Sequence, residues 1–149
     1  MICIDKYIYT KIEHSRAKTN TNMQDIFHKI ITREIQAHII WESDTQIAFL
    51  DINPIYPGHT LLVPKKQIDY IFDIPEKEYT ELMLAAKEIA IILKDKLKSK
   101  RVGVLIEGFL IPHAHIHLVP LEEGSQLDPE KAKPASDADL LTIKNKILS

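Results

Sequence analysis

Between His113 and Pro120 three histidines alternate with apolar residues, in the order His113, Ala114, His115, Ile116, His117, Leu118, Val119, Pro120. A period of two marks a half-buried strand. It predicts that all three imidazoles project from one sheet face and that Ala114, Ile116 and Leu118 project from the other. A strand has little structural use for three imidazoles in a row, so the pattern ties a sheet to a chemical site.

The rest of the chain supplies partners for that strand. At 149 residues it has the length of one domain with a real core. Residues 39–41 and 46–50 read as strands joined by the turn-prone Glu42-Ser43-Asp44-Thr45, hence a hairpin. Asp51 to Gly58 holds two prolines and a glycine and reads as a loop of the functional kind. His59 opens a third strand over 59–63, and Val102, Val104 and Ile106 alternate along a fourth. The link from Glu107 to Pro112 is too short for a parallel crossover, so the histidine strand runs antiparallel to its predecessor.

Helices fill the gaps. Ile26, Phe27, Ile30 and Ile31 predict a short helix through about Glu34, capped by Asn22 or Asp25. Pro75 precedes a long helix, about Glu76 to Lys98, with Tyr79, Leu82, Met83, Ala86, Ala90, Leu93 and Leu97 as its apolar face. Ser136 and Asp139 have the spacing of a capping box before a last helix that ends near Leu148. The expected fold is therefore α+β: an antiparallel sheet of about five strands, one short and one long helix, and a C-terminal helix. Residues 1–22 form an extension in which Ile4, Tyr7 and Tyr9 suit a short strand; 23–121 form the domain and 122–149 a tail.

Composition removes several function classes. A net charge of −2 gives no electrostatic footprint for a nucleic acid polymer, although a local site for a small phosphate needs none. Cys3 is the only cysteine, which excludes an intrachain disulfide and a cysteine-rich zinc site. No apolar run approaches the roughly 18 residues of a membrane span, and residues 1–22 lack the apolar middle of a secretory signal. A cytoplasmic protein without membrane partners is expected.

Strand geometry bears on the chemistry. Neighbouring triad members stand about 6.6 Å apart along the backbone and the outer pair about 13 Å. One metal gripped by all three is excluded, because zinc–nitrogen bonds are only about 2.0–2.1 Å long. Two of the three with His59 remain a possible zinc site, which leaves a metal-dependent enzyme as an alternative. A phosphoryl group suits the spacing better. A neutral imidazole can attack phosphorus while its neighbours donate to phosphate oxygens or the leaving atom, through a covalent phosphorus–nitrogen intermediate. No metal and no cofactor are then required.

These residues match His-φ-His-φ-His-φ-φ, with φ apolar, and resemble the signature of the histidine triad (HIT) superfamily. Asp25 to Ile30, Ala48 to Pro54 and Pro57 to Lys66 resemble further segments of that family, in family order, so the likeness covers about residues 23–121. The resemblance implies a homodimer that hydrolyses or transfers nucleoside monophosphates. It implies His115 as the nucleophile and His117 as the contact to phosphate or leaving group, with His113 and His59 in support. Asp51 would hold the ribose hydroxyls, and Ile26, Phe27, Ile30, Phe49 and Ile52 would wall the base of a purine nucleotide.

The chain also departs from the family pattern. Ile106 stands where many members carry Asn, and Gly108 to Pro112 is short and apolar where they carry Gly-Gln-Ser/Thr. Phosphoramidate-type nucleotides are the expected substrates and dinucleoside polyphosphates the runner-up. A nucleotide-binding protein with weak or lost catalysis is the alternative that the apolar loop suggests.

Overall fold

The computed structural model describes residues 26–108 and 111–149. Within these residues five strands make one antiparallel sheet: β1 (Ile39–Glu42), β2 (Gln46–Leu50), β3 (Thr60–Pro64), β4 (Arg101–Ile106) and β5 (Ile116–Leu121). Their order across the sheet is β1-β2-β3-β5-β4, so the histidine strand lies inside and β4 forms an edge. Among the described residues three α-helices accompany it: α1 (Ile26–Ile31), α2 (Glu76–Leu97) and α3 (Asp137–Leu148). The α+β expectation holds, and no helix among the described residues is long and apolar enough to cross a membrane.

Local chemistry accounts for the hairpins. The Ser43 hydroxyl accepts from the Thr45 and Gln46 N–H groups, and the Ser43 N–H donates to the Gln46 carbonyl, closing the β1–β2 turn. The loop between β2 and β3 returns through Gly58 at φ +92°. A side chain at that position would be strained in its backbone, and its Cβ would collide with Leu97 Cδ1. Glycine therefore lets the chain pass under the end of α2 and deliver His59 to the start of β3.

Alternation along the strands divides the core in two. On one face Ala48, Leu50, Leu62, Ile116 and Leu118 pack with Leu82, Ala86, Ile89 and Leu93 of α2 and with Leu140 and Ile147 of α3. Leu62, Ile89, Leu93, Ile116 and Leu118 are completely buried, each worth roughly 2 kcal/mol of apolar transfer. On the other face Ile47, Phe49, Leu61 and Val63 pack with Phe27 and Ile30 of α1 and with Ile111. This second face carries the histidines.

Several boundaries differ from expectation, each for a visible reason. α1 stops at Ile31 and not near Glu34, because Arg33 turns left-handed at φ 66° and its N–H closes on the Ile30 carbonyl. α2 ends where Lys98 does the same at φ 60°. Within α2 the core stripe is Leu82, Ala85, Ala86, Ile89 and Leu93, whereas Met83 is exposed and Ala90 half-buried. The helix is rotated slightly from the expected face. Two 3₁₀ turns, Ile71–Asp73 and Pro129–Lys131, were not foreseen. Ser136 does cap α3, accepting from the Asp139 N–H while its hydroxyl donates to the Asp139 carboxylate. The expected strand at Ile4, Tyr7 and Tyr9 and the caps Asn22 and Asp25 lie outside the described residues, as do Phe109 and Leu110.

Candidate active site

Register carries His117 to the centre of the second face. Directly paired residues share a face, and the row Ile39, Phe49, Leu61, His117, Leu105 runs across all five strands. His59 sits just before β3, where its carbonyl accepts the Asp51 N–H at 2.9 Å. The triad itself is only partly strand. Ladder pairing of β5 begins at Ile116, because the Ala114 N–H goes instead to the Ile68 carbonyl and the His113 N–H to the Ile111 carbonyl. His113 and His115 therefore lie on an extended lead-in. The expected alternation survives there: Ala114 joins the α2-side core, while Phe27 on the opposite side meets His113 and His115 edge-on at 5.7 and 5.1 Å.

All four candidate histidines are buried, and His115 is the most open of them at 5% exposure. The rings of His115 and His117 stand 4.9 Å apart and those of His59 and His117 5.1 Å, nearer than backbone spacing alone suggests. The hydrogen-bond network assigns their tautomers. His115 Nδ1–H donates to the His113 carbonyl at 2.8 Å, so its Nε2 keeps the lone pair. His113 Nε2–H donates to the Pro64 carbonyl at 2.7 Å. The Ile55 N–H donates to His59 Nδ1 at 3.2 Å, so His59 Nε2 carries the hydrogen and donates to His117 Nδ1 at 2.9 Å. His117 Nε2 must then bear a hydrogen, and that buried group has no partner among the described residues.

Burial sets the charge. It lowers the pKa of all four imidazoles, taking His59 to about 3 and His117 lower still, and the nearby His115 ring pushes both in the same direction. For His113 and His115 desolvation also outweighs the carbonyl bonds that favour the cation. The resting cluster is neutral near pH 7, and it presents a lone pair at His115 Nε2 and an orphan donor at His117 Nε2.

Beside this cluster lies a cavity of about 340 Å³, in the range of small-molecule sites. Ile26, Phe27, Ile30, Phe49, Asp51 and Ile52, the residues expected around a nucleoside, all line it. Ile52 is 44% exposed, so it forms part of the mouth and not of a sealed wall. The histidines are outside this lining; Phe27 and Asp51 join the two parts. Phe27 touches His115, and Asp51 Oδ2 stands 3.6 Å from His59 Nδ1. Asp51 Oδ1 accepts the Asn53 N–H at 2.8 Å, which fixes the carboxylate in the loop.

Sequence reasoning missed part of the lining. Asn53, His38 and the tail residues Pro134, Ala135, Asp137 and Leu140 also face the cavity. The tail is strapped to the loop by Ala135 N–H to the Ile52 carbonyl at 2.9 Å and Lys133 N–H to the Pro54 carbonyl at 3.3 Å. Asn53 was visible as a neighbour of Asp51, but no sequence signal joined residues 133–140 to that loop. Asp51, His59 and His117 also present donor atoms within 4.8 Å of one another, which makes them the candidate metal-binding group among the described residues. An ion bound through His117 Nδ1 would displace the His59–His117 hydrogen bond, since that bond occupies the same lone pair.

Comparison with known proteins agrees with the geometry. The family model described as HIT domain matches residues 32–124. An uncharacterized HIT-like protein of Methanocaldococcus jannaschii is 36% identical over 104 residues, covering 66% of this chain and 80% of that one. The adenosine 5'-monophosphoramidase of Saccharomyces cerevisiae is 36% identical over 96 residues, 64% of this chain and 61% of the yeast protein. The crystal structure of a Hit-like protein from Bartonella henselae, described as involved in cell-cycle regulation and with an unknown ligand, superposes with a TM-score of 0.76 at 30% identity. That likeness covers 88% of this chain and 96% of the other.

Proposed function

The chain belongs to the HIT domain family, and from that premise we propose that it is a nucleotidyl hydrolase working through a covalent nucleotidyl-histidine. The observation that carries this reading is the tautomer chain, which leaves a nucleophilic lone pair at His115 Nε2 beside an unpartnered N–H at His117 Nε2. A purine nucleoside monophosphate linked to an amine is the substrate class, in keeping with the activity named for the yeast relative. The nucleoside occupies the cavity, with Asp51 accepting from ribose hydroxyls and Ile26, Phe27, Ile30, Phe49 and Ile52 around the base.

The bound phosphate anion favours a cationic His117. One proton enters at His59 Nδ1, on the side of Asp51, and the His59 Nε2 hydrogen passes to His117 Nδ1. The Ile55 N–H gives up its acceptor in that state. His115 Nε2 then bonds to the α-phosphorus, the phosphorus–nitrogen bond to the leaving group breaks, and His117 Nε2–H protonates the departing amine. Water next attacks the phosphorus, gives its proton to His117, and frees His115 and the nucleoside monophosphate. His113 acts by position: its carbonyl holds the His115 ring, and its own ring is fixed by Pro64.

The same reading makes the protein a cytoplasmic homodimer. Support for the dimer is the outer edge of β4, where Val104 is 48% exposed, and the exposed Leu84 and Ile91 on α2. The test of function is release of AMP from an adenosine phosphoramidate with and without EDTA. Release that ignores EDTA is expected. Release abolished by EDTA would transfer the chemistry to a metal at Asp51, His59 and His117, and nucleotide binding without release would leave a binding protein.

A further inference from the structure

The outer end of the nucleoside cavity has polar chemistry that catalysis does not use. His38 Nε2–H donates to Asp137 Oδ1 at 2.8 Å, across 99 residues of chain. The His38 side chain is mostly buried, whereas the Asp137 carboxylate stands open to solvent at the mouth with Oδ2 uncommitted. Both residues line the cavity together with Pro134 and Ala135, which the strap to Ile52 and Pro54 holds in place. A second observation independently points to an occupant. Asn53 also lines this cavity, is 3% exposed, and its Nδ2 donor has no partner. A buried amide left unpaired costs stability unless a ligand acceptor completes it.

Donor and acceptor patterns distinguish the purine bases that could occupy the cavity. A carboxylate accepts and cannot donate. Guanine presents two adjacent donors on its outer edge, N1–H and the N2 amino group. Adenine offers one amino donor next to the N1 lone pair, which a carboxylate oxygen repels. We propose that Asp137, positioned by His38, reads the base at the mouth of this cavity and selects guanine over adenine. The proposal rests on the nucleotide reading above and adds to it the base preference, together with a role for the tail: residues 133–140, strapped to Ile52 and Pro54, complete the lining of the nucleoside site.

The experiment is a titration of GMP, IMP and AMP into the full chain and into Asp137→Ala and Asp137→Asn. The wild-type protein is expected to bind GMP about tenfold more tightly than AMP, the usual scale for one bidentate base contact. IMP, which lacks the N2 amino group, falls between them. Asp137→Ala equalises GMP and AMP. Asp137→Asn, which offers one donor and one acceptor, turns the preference towards AMP, a change that mere loss of structure would not produce. Equal affinities in the wild type, or a GMP preference that survives both substitutions, would overturn the base assignment while leaving the nucleotide reading standing. Binding of none of the three would overturn both.

Discussion

Replacing His115 with alanine is expected to reduce nucleoside monophosphate release by at least about 10⁴-fold, because the bond-forming atom is removed and not merely a stabilising contact. The ring donates through Nδ1 to the His113 carbonyl and is packed edge-on by Phe27, so its Nε2 is held in one direction. The other rings are held for other bonds: His113 is anchored through its Nε2–H to the Pro64 carbonyl, and the Nδ1 atoms of His59 and His117 each accept a hydrogen bond. Affinity for the product should change little, since the nucleoside cavity is lined by other residues. Steady-state release measured beside product titration checks both parts. A variant that retained a tenth of wild-type release would remove His115 from the nucleophile's role.

Stability should fall steeply on mild acidification. His59 and His117 are neutral in the fold, with pKa values lowered by burial and by neighbouring imidazoles, His59 to about 3. In the unfolded chain they titrate near their usual 6.5, so below that pH the unfolded state binds more protons. Stability is therefore complete above about pH 6.5 and is lost as pH drops towards the folded values. Each such histidine costs about 1.4 kcal/mol at one unit below its unfolded pKa, so the pair removes about 3 kcal/mol at about pH 5.5. That is a large share of a stability of about 5–15 kcal/mol. Urea midpoints at about pH 8 and about pH 5.5 test it. An unchanged midpoint would mean that the cluster takes up protons without unfolding.

What could be read in advance was whatever depends on local pattern. Period-two alternation put Ala114, Ile116 and Leu118 on the α2 side and the imidazoles opposite, and the Glu42 to Thr45 turn predicted the β1–β2 hairpin. The six residues expected around the nucleoside do share one cavity, because the Asp51 to Gly58 loop and α1 converge on the same sheet face. What escaped depends on distant partners. The ladder stops short of His115 because the Ile68 carbonyl captures the Ala114 N–H, and neither residue announces that bond. Ala85 and Ile89 displaced Met83 and Ala90 in the α2 stripe, since a small rotation of a helix leaves its spacing unchanged. The strap from the tail to the Ile52–Pro54 loop is made of two backbone hydrogen bonds, which have no residue preference to read.

In the proposed reaction a covalent bond joins His115 to the nucleotide's phosphorus. Its most direct test is a single turnover stopped in alkali, where the phosphorus–nitrogen bond is preserved, followed by digestion and mass analysis. A nucleotidyl group on the peptide that carries His115, absent from the His115→Ala protein and formed at least as fast as product, is the predicted result. Product formed with no such adduct, or with the adduct on another residue, would contradict the mechanism.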